Sequence, residues 1–172
     1  MQLRPPPASA RAAVIADTHL PRAGRTLPPG CLRRLRSAEL ILHAGDIRSV
    51  EVLEQLRALG PPVLAVHGNV DDPALRAQLP ETLELRLGGR RLGMIHDAGP
   101  AAGRLARLRR RFPSCEAVIF GHSHIPLLER HEGFTIFNPG SPTDRRRQAE
   151  HTMGMLSCGP AALRFRVVEL GR

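Results

Sequence analysis

The chain has 172 residues, an apolar fraction of 42% and a charged fraction of 24%, values that predict one ordinary globular domain able to bury its core without staples. Its formal charge of +9 comes from 25 arginines with no lysine, which favours anionic partners. Trp and Tyr are absent, which weakens a nucleic-acid reading that needs rings to stack on bases, and no apolar run approaches the roughly 18 residues of a membrane span. Three scattered cysteines, Cys31, Cys115 and Cys158, exclude a disulfide framework or a zinc ribbon and fit small buried hydrophobes in a reducing cytoplasm.

Residues 1–10 contain Pro5-Pro6-Pro7 and no apolar stretch of a signal peptide, so they are expected to form a disordered leader before a single domain over residues 11–172. Residues 12–16 read as a buried strand ending at Asp17-Thr18-His19. A short basic helix is expected over 31–37, then a strand over 40–43 that opens into Ala44-Gly45-Asp46. Val50, Leu53, Leu56 and Leu59 recur at helical spacing until Gly60-Pro61-Pro62 stops them, and a third strand, 63–66, runs into His67-Gly68-Asn69. Strand, polar turn, helix, strand is the alternation of a largely parallel sheet, whose ligands bind beyond the carboxyl ends of the strands.

The second half changes character. Residues 83–87 alternate with period two, Gly88-Gly89 suits a tight hairpin, and residues 90–96 return to deliver His96 and Asp97. A helix is expected over 101–111, followed by a strand over 117–120 that leads to Gly121-His122-Ser123-His124. Gly121 there permits the close backbone approach of a tight site. Segments 126–131, 134–137, 153–157 and 163–168 read as antiparallel meandering strands, interrupted by Asn138-Pro139-Gly140-Ser141. There is no internal repeat and no dividing linker.

The strand ends together offer Asp17, His19, Asp46, Asn69, His96, His122 and His124, seven oxygen or nitrogen donors and no sulfur. Two histidines in one turn are as well explained by solvation as by ligation; seven such residues after successive strands are hard to ascribe to chance. The mixed imidazole and carboxylate set suits two divalent cations, manganese first, with iron, zinc and nickel also compatible, better than calcium or magnesium. Thr18 and Ser123 read as turn residues that bond the backbone, and His43 and His67 as residues behind the ligands or in the core. His131 and His151 are expected to be exposed. Arg22, Arg25, Arg48 and the run 145–147 are candidates for contacting a substrate phosphate.

Asp17-x-His19, Gly45-Asp46, Gly68-Asn69, His96 and Gly121-His122-Ser123-His124, in this order, resemble the calcineurin-like metallophosphoesterase superfamily. The form Gly68-Asn69-Val70-Asp71 and the trailing Asn138-Pro139-Gly140-Ser141 resemble its small bacterial and archaeal phosphodiesterase branch. The resemblance implies a four-layer α/β sandwich (αββα) of two mixed central sheets flanked by helices. It implies that Asp17, His19, Asp46 and His124 hold one metal and Asp46, Asn69, His96 and His122 the other, with Asp46 bridging. It further implies a metal-dependent phosphodiesterase that attacks a small anionic phosphate ester with a hydroxide held between the two cations.

Two departures stand out. Val70 occupies the position where much of the superfamily has a histidine able to help the leaving group, and Asp97 follows His96 where the branch more often has glycine. A non-catalytic scaffold, like the retromer subunit that shares this fold, and a nuclease are the alternatives, and a homo-oligomer is left open. Retention of all seven donors argues against the scaffold.

Overall fold

The computed structural model describes residues 10–159 and 161–172. In chain order it contains β1 (Ala10–Ile15), α1 (Pro29–Ser37), β2 (Leu40–His43), α2 (Val50–Arg57), β3 (Val63–Ala65), α3 (Pro73–Gln78) and β4 (Thr82–Leu87). Then follow β5 (Arg90–Ile95), α4 (Arg104–Arg111), β6 (Ala117–Ile119), β7 (Leu127–His131), β8 (Phe134–Asn138), β9 (His151–Cys158) and β10 (Leu163–Gly171). β1 starts at Ala10, one residue before the expected domain start; the rest of the expected leader lies outside the described residues.

Two five-stranded sheets result, ordered β10-β9-β1-β2-β3 and β4-β5-β6-β8-β7. Both are mixed. β1, β2 and β3 run parallel, as do β5, β6 and β8, while the hairpins β4-β5, β7-β8 and β9-β10 supply the antiparallel pairs. The expected meander after residue 125 is therefore split. β7-β8 extends the second sheet with β8 parallel to β6, whereas β9 crosses to lie antiparallel to β1.

Alternation along the strands explains the layering. Ala12, Val14 and Ala16 face the core between the sheets with Leu42, Met94, Ile119 and Phe137. Ala13 and Ile15 face the other way, onto Cys31 and Leu35 of α1 and Leu56 of α2. A strand buried on both faces must read as a continuous apolar run, as β1 does. On the second sheet Val118, Phe134 and Ile136 turn outward to meet Leu108 of α4 and Phe112. Burial of one such Leu or Phe side chain contributes about 1.5–3 kcal/mol.

Helix boundaries depart from expectation for local reasons. α1 begins at Pro29 because proline suits the first helical turn, where its missing N–H is not needed. α4 starts at Arg104, after turns at residues 101–103, rather than at 101. α3 was not expected: with six residues and only Leu75 buried it has no legible period. Its signal was Asp72-Pro73, and the Asp72 side chain accepts the Leu75 N–H at 2.7 Å as an N-cap. None of the described helices is long and apolar enough to cross a membrane.

Candidate metal centre

All seven predicted donors lie at one end of the sandwich, just past the carboxyl ends of the parallel strands. Asp17 and His19 follow β1, Asp46 follows β2, Asn69 follows β3, His96 follows β5, and His122 and His124 follow β6. Backbone bonds join neighbouring donor loops within each sheet. Asp17 N–H donates to Gly45 O and His19 N–H to Asp46 O, both at 3.0 Å, and Gly121 N–H donates to His96 O at 3.0 Å. The His122 N–H reaches across to Asp17 Oδ2 at 2.9 Å.

Five of the seven, Asp17, His19, Asp46, His122 and His124, have positive φ between 48 and 70°. Non-glycine residues seldom adopt this left-handed conformation, and such strain collects where function over-determines the backbone. Close approach is equally tight. A Cβ on Gly121 would lie 2.9 Å from both Ala16 Cβ and Asp17 Oδ2, so the expectation for this glycine holds.

The donors form two groups, Asp17-His19-His124 and Asp46-His96-His122. In the first, His19 Nε2 and His124 Nε2 are 3.2 Å apart, and Asp17 Oδ1 is 3.6 Å from His124 Nε2. In the second, Asn69 Oδ1 is 3.1 Å from both His96 Nε2 and His122 Nδ1. Asp46 joins them: its Oδ2 is 3.4 Å from His19 Nε2 and 3.3 Å from His96 Nε2.

Tautomers show what this arrangement can hold. His96 Nδ1–H donates to Ala44 O at 2.8 Å and His124 Nδ1–H to Asp144 O at 2.5 Å, so in the neutral rings each Nε2 presents a lone pair to the centre. Imidazole, amide and carboxylate donors thus converge on one centre; without a cation His96 Nε2 keeps a proton toward Asp46 Oδ2 at 3.3 Å, and a cation would take that proton's place.

The electrostatics point the same way. Burial works against ionisation of Asp46, but the His96 hydrogen bond and charge, the Val70 N–H and His19 outweigh it and hold its carboxyl at about 2. Burial would lower His96, yet its bond to Asp46 and the charges of Asp17 and Asp46 raise it above the usual histidine value. A region this negative draws in positive charge.

A second layer of bonds fixes the donors. His43 is wholly buried; its Nδ1 accepts the Gly45 N–H and its Nε2 donates to Thr18 Oγ1, which in turn donates to Asp46 O. Burial, with the His96 charge adding to it, pushes the His43 pKa down to about 3. Ser123 Oγ accepts the Ile125 N–H and so acts on its turn as expected, whereas the Thr18 hydroxyl bonds the backbone not of its own turn but of the β2 exit, at Asp46 O.

Sequence reasoning missed the supports supplied from elsewhere. Ser141 Oγ donates to Asp17 O and Thr143 Oγ1 to Thr18 O. Both carboxylate oxygens of Asp71 are used, by Arg48 N–H at 2.6 Å and Gly68 N–H at 2.7 Å. The Ser141-Pro142-Thr143-Asp144 turn chemistry was the available signal.

Of the candidate phosphate-contacting arginines, Arg25 is held by Asp144 at 2.9 Å and Arg145 donates to Gln148 O. Exposed Arg146 lies near enough for its charge to help burial lower His124. The Asp97 carboxylate accepts the Gly99 N–H at 2.7 Å. His131 is exposed and His151 half-buried. Cys31, Cys115 and Cys158 are free and buried, and burial pushes the Cys31 thiol up to about 12.

A two-sheet α/β sandwich carrying paired His/Asp groups at its strand ends is the architecture of a metallophosphoesterase. The chain belongs to the calcineurin-like phosphoesterase superfamily, whose domain model matches residues 11–159. It is 35% identical over 132 residues, 76% of each chain, to a protein of Methanothermobacter thermautotrophicus described as a probable metallophosphoesterase. Among solved structures, Vps29 of Entamoeba histolytica in complex with zinc superposes with a TM-score of 0.74 at 22% identity, covering 94% of this chain and 99% of that one. A novel archaeal phosphodiesterase superposes with a TM-score of 0.71 at 18% identity, covering 92% and 99%.

Proposed function

We propose that the protein is a dinuclear-metal-dependent phosphodiesterase that hydrolyses a small phosphate diester or nucleotide. The observation that carries this reading is Asp46, whose Oδ2 stands between His19 Nε2 and His96 Nε2 at 3.4 and 3.3 Å. Asp17, His19 and His124 would hold one cation, Asn69, His96 and His122 the second, and Asp46 both. Two divalent cations in such a centre lower the pKa of water toward neutrality and offset charge on phosphoryl oxygens.

The chain's own residues supply orientation. Val70 N–H fixes Asp46 Oδ1 at 3.1 Å, and the carbonyls of Ala44 and Asp144 fix the rings of His96 and His124. Val70 offers no proton to a leaving group, so the site suits esters whose leaving groups need none. The description of the archaeal neighbour as a phosphodiesterase supports the diester reading. The net charge of +9 supports a small anionic substrate, and three free buried cysteines support a reducing cytoplasm. Manganese is the favoured metal, with iron, zinc and nickel as alternatives.

The test is activity of metal-free protein resupplied with manganese, iron, zinc or nickel against bis(p-nitrophenyl) phosphate, p-nitrophenyl phosphate and cyclic nucleotides. Metal-dependent diester turnover that Asp46→Asn lowers by about 10²-fold or more is expected, the scale reached when a catalytic constellation is misplaced by ~1 Å. Failure to bind any transition ion would favour the scaffold. Affinity for nucleic acid falling steeply with salt would favour the nuclease.

A further inference from the structure

Four strands lie at the edges of the two sheets: β10, β3, β4 and β7. An edge strand presents N–H and C=O groups that can template a further strand, and proteins blunt such edges with short length, bulges or charge. Three of the four are blunted. β3 has three residues, β10 breaks register between Glu169 and Gly171, and β7, set antiparallel to a copy of itself about its centre, would oppose Glu129 to Glu129. β4 differs: its six residues pair with β5 without interruption, from Thr82 against Ile95 to Leu87 against Arg90.

The two faces of β4 are finished differently. Leu83 and Leu85 pack against the inter-sheet core but stay partly exposed, and Leu87 is buried beside them. Glu84 and Arg86 point the other way and are exposed. Within the chain Arg86 stands directly opposite Arg91 of β5, a destabilising like-charge pair, and Glu84 stands opposite Gly93, which offers no side chain. The Glu84 carboxylate adds to burial in raising the Cys115 thiol pKa, a neutral neighbour that leaves its charge unbalanced. Neither Glu84 nor Arg86 makes an ion pair among the described residues.

A second copy running antiparallel supplies what this edge lacks. With Leu85 on the two-fold axis, Glu84 faces the second copy's Arg86 and Arg86 faces its Glu84, so the four charges alternate in sign. On the core side Leu85 meets Leu85 and Leu83 meets Leu87. Directly opposed residues of an antiparallel pair share a face, so this register satisfies both patterns at once. Moving the axis by one residue sets Glu84 against itself or Arg86 against itself.

We infer that β4 pairs antiparallel with β4 of a second copy of this chain, joining two five-stranded sheets into one across a two-fold axis at Leu85. The inference is independent of the phosphodiesterase reading. Six residues a side make a small interface, so the dimer exchanges with monomer as concentration changes.

Sedimentation equilibrium of the full chain tests it. The wild type is expected to populate the dimer by about 100 μM. Arg86→Glu and Glu84→Arg each turn both cross-copy attractions into repulsions and should weaken association about tenfold or more. The exchange Glu84→Arg, Arg86→Glu restores opposite charges across the axis and should bring association back to the wild-type level. Arg86→Glu also puts an acid opposite Arg91, so its urea midpoint should not fall, and its lost association reports the interface and not the fold. A wild type that stays monomeric at about 100 μM overturns the inference and leaves the edge to an extended segment of another protein. A dimer that ignores both single variants, or that the exchange does not rescue, overturns the β4 pairing.

Discussion

Replacing Gly68 with alanine tests whether the centre is shaped around the Asp46 carboxylate. A Cβ at this position would lie 2.0 Å from Asp46 Oδ1 and 2.4 Å from the Asp46 backbone nitrogen, where real Cβ contacts do not fall under 3.0 Å. The carboxylate oxygen must therefore retreat by about 1 Å (3.0 less 2.0). The backbone cannot yield easily, because Asp46 already sits at φ 58° and its carbonyl accepts the His19 N–H. Retreat breaks the Val70 bond to Oδ1 and moves Oδ2 away from His19 and His96.

Overpacking and the loss of a hydrogen bond to a charged acceptor each cost about 1–3 kcal/mol, so a destabilisation of about 2–6 kcal/mol is expected by urea denaturation of the metal-free protein. Turnover should fall about 10²-fold, as expected for a ~1 Å misplacement. Gly159, whose Cβ would meet nothing within 4 Å, supplies the control: Gly159→Ala should change stability by no more than about 0.5 kcal/mol. Wild-type unfolding and wild-type manganese affinity in Gly68→Ala would refute the reasoning.

Three further outcomes are expected. The His43 pKa is about 3 in the fold against 6.5 in the open chain, so its contribution is whole above pH 6.5 and is lost as pH falls toward 3. Between pH 7 and pH 5 that loss is about 2 kcal/mol, and the unfolding free energy of the wild type from urea titration should fall by this much more than that of His43→Gln. Arg25→Met removes the 2.9 Å partner of Asp144, whose carbonyl orients His124; calorimetric titration should show metal affinity at the His19-His124 site lowered about 10-fold. With Val70 41% exposed beside Asn69 and offering no proton, aryl diesters should be hydrolysed about 10²-fold or more faster than matched alkyl diesters, and equal rates would contradict that.

The site was legible in the sequence because its chemistry sits where apolar runs stop. Each of Asp17, Asp46, Asn69, His96 and His122 follows a strand whose β-branched and aliphatic residues announce it, and parallel pairing brings those ends to one side. Less legible was everything set by long-range pairing. Nothing local in residues 151–158 says that β9 lies beside β1 rather than continuing the β7-β8 sheet; its Leu156 and Cys158 simply fill the inter-sheet core from that side. Ser141 and Thr143 support Asp17 and Thr18 across more than 120 residues of chain.

The central claim is that distant strand ends hold two cations through a shared Asp46. Anomalous diffraction from crystals grown with manganese tests it most directly. Two peaks per chain are predicted, one against Asp17, His19 and His124, the other against Asn69, His96 and His122, with Asp46 touching both. A single peak, or ions bound away from Asp46, would contradict the account.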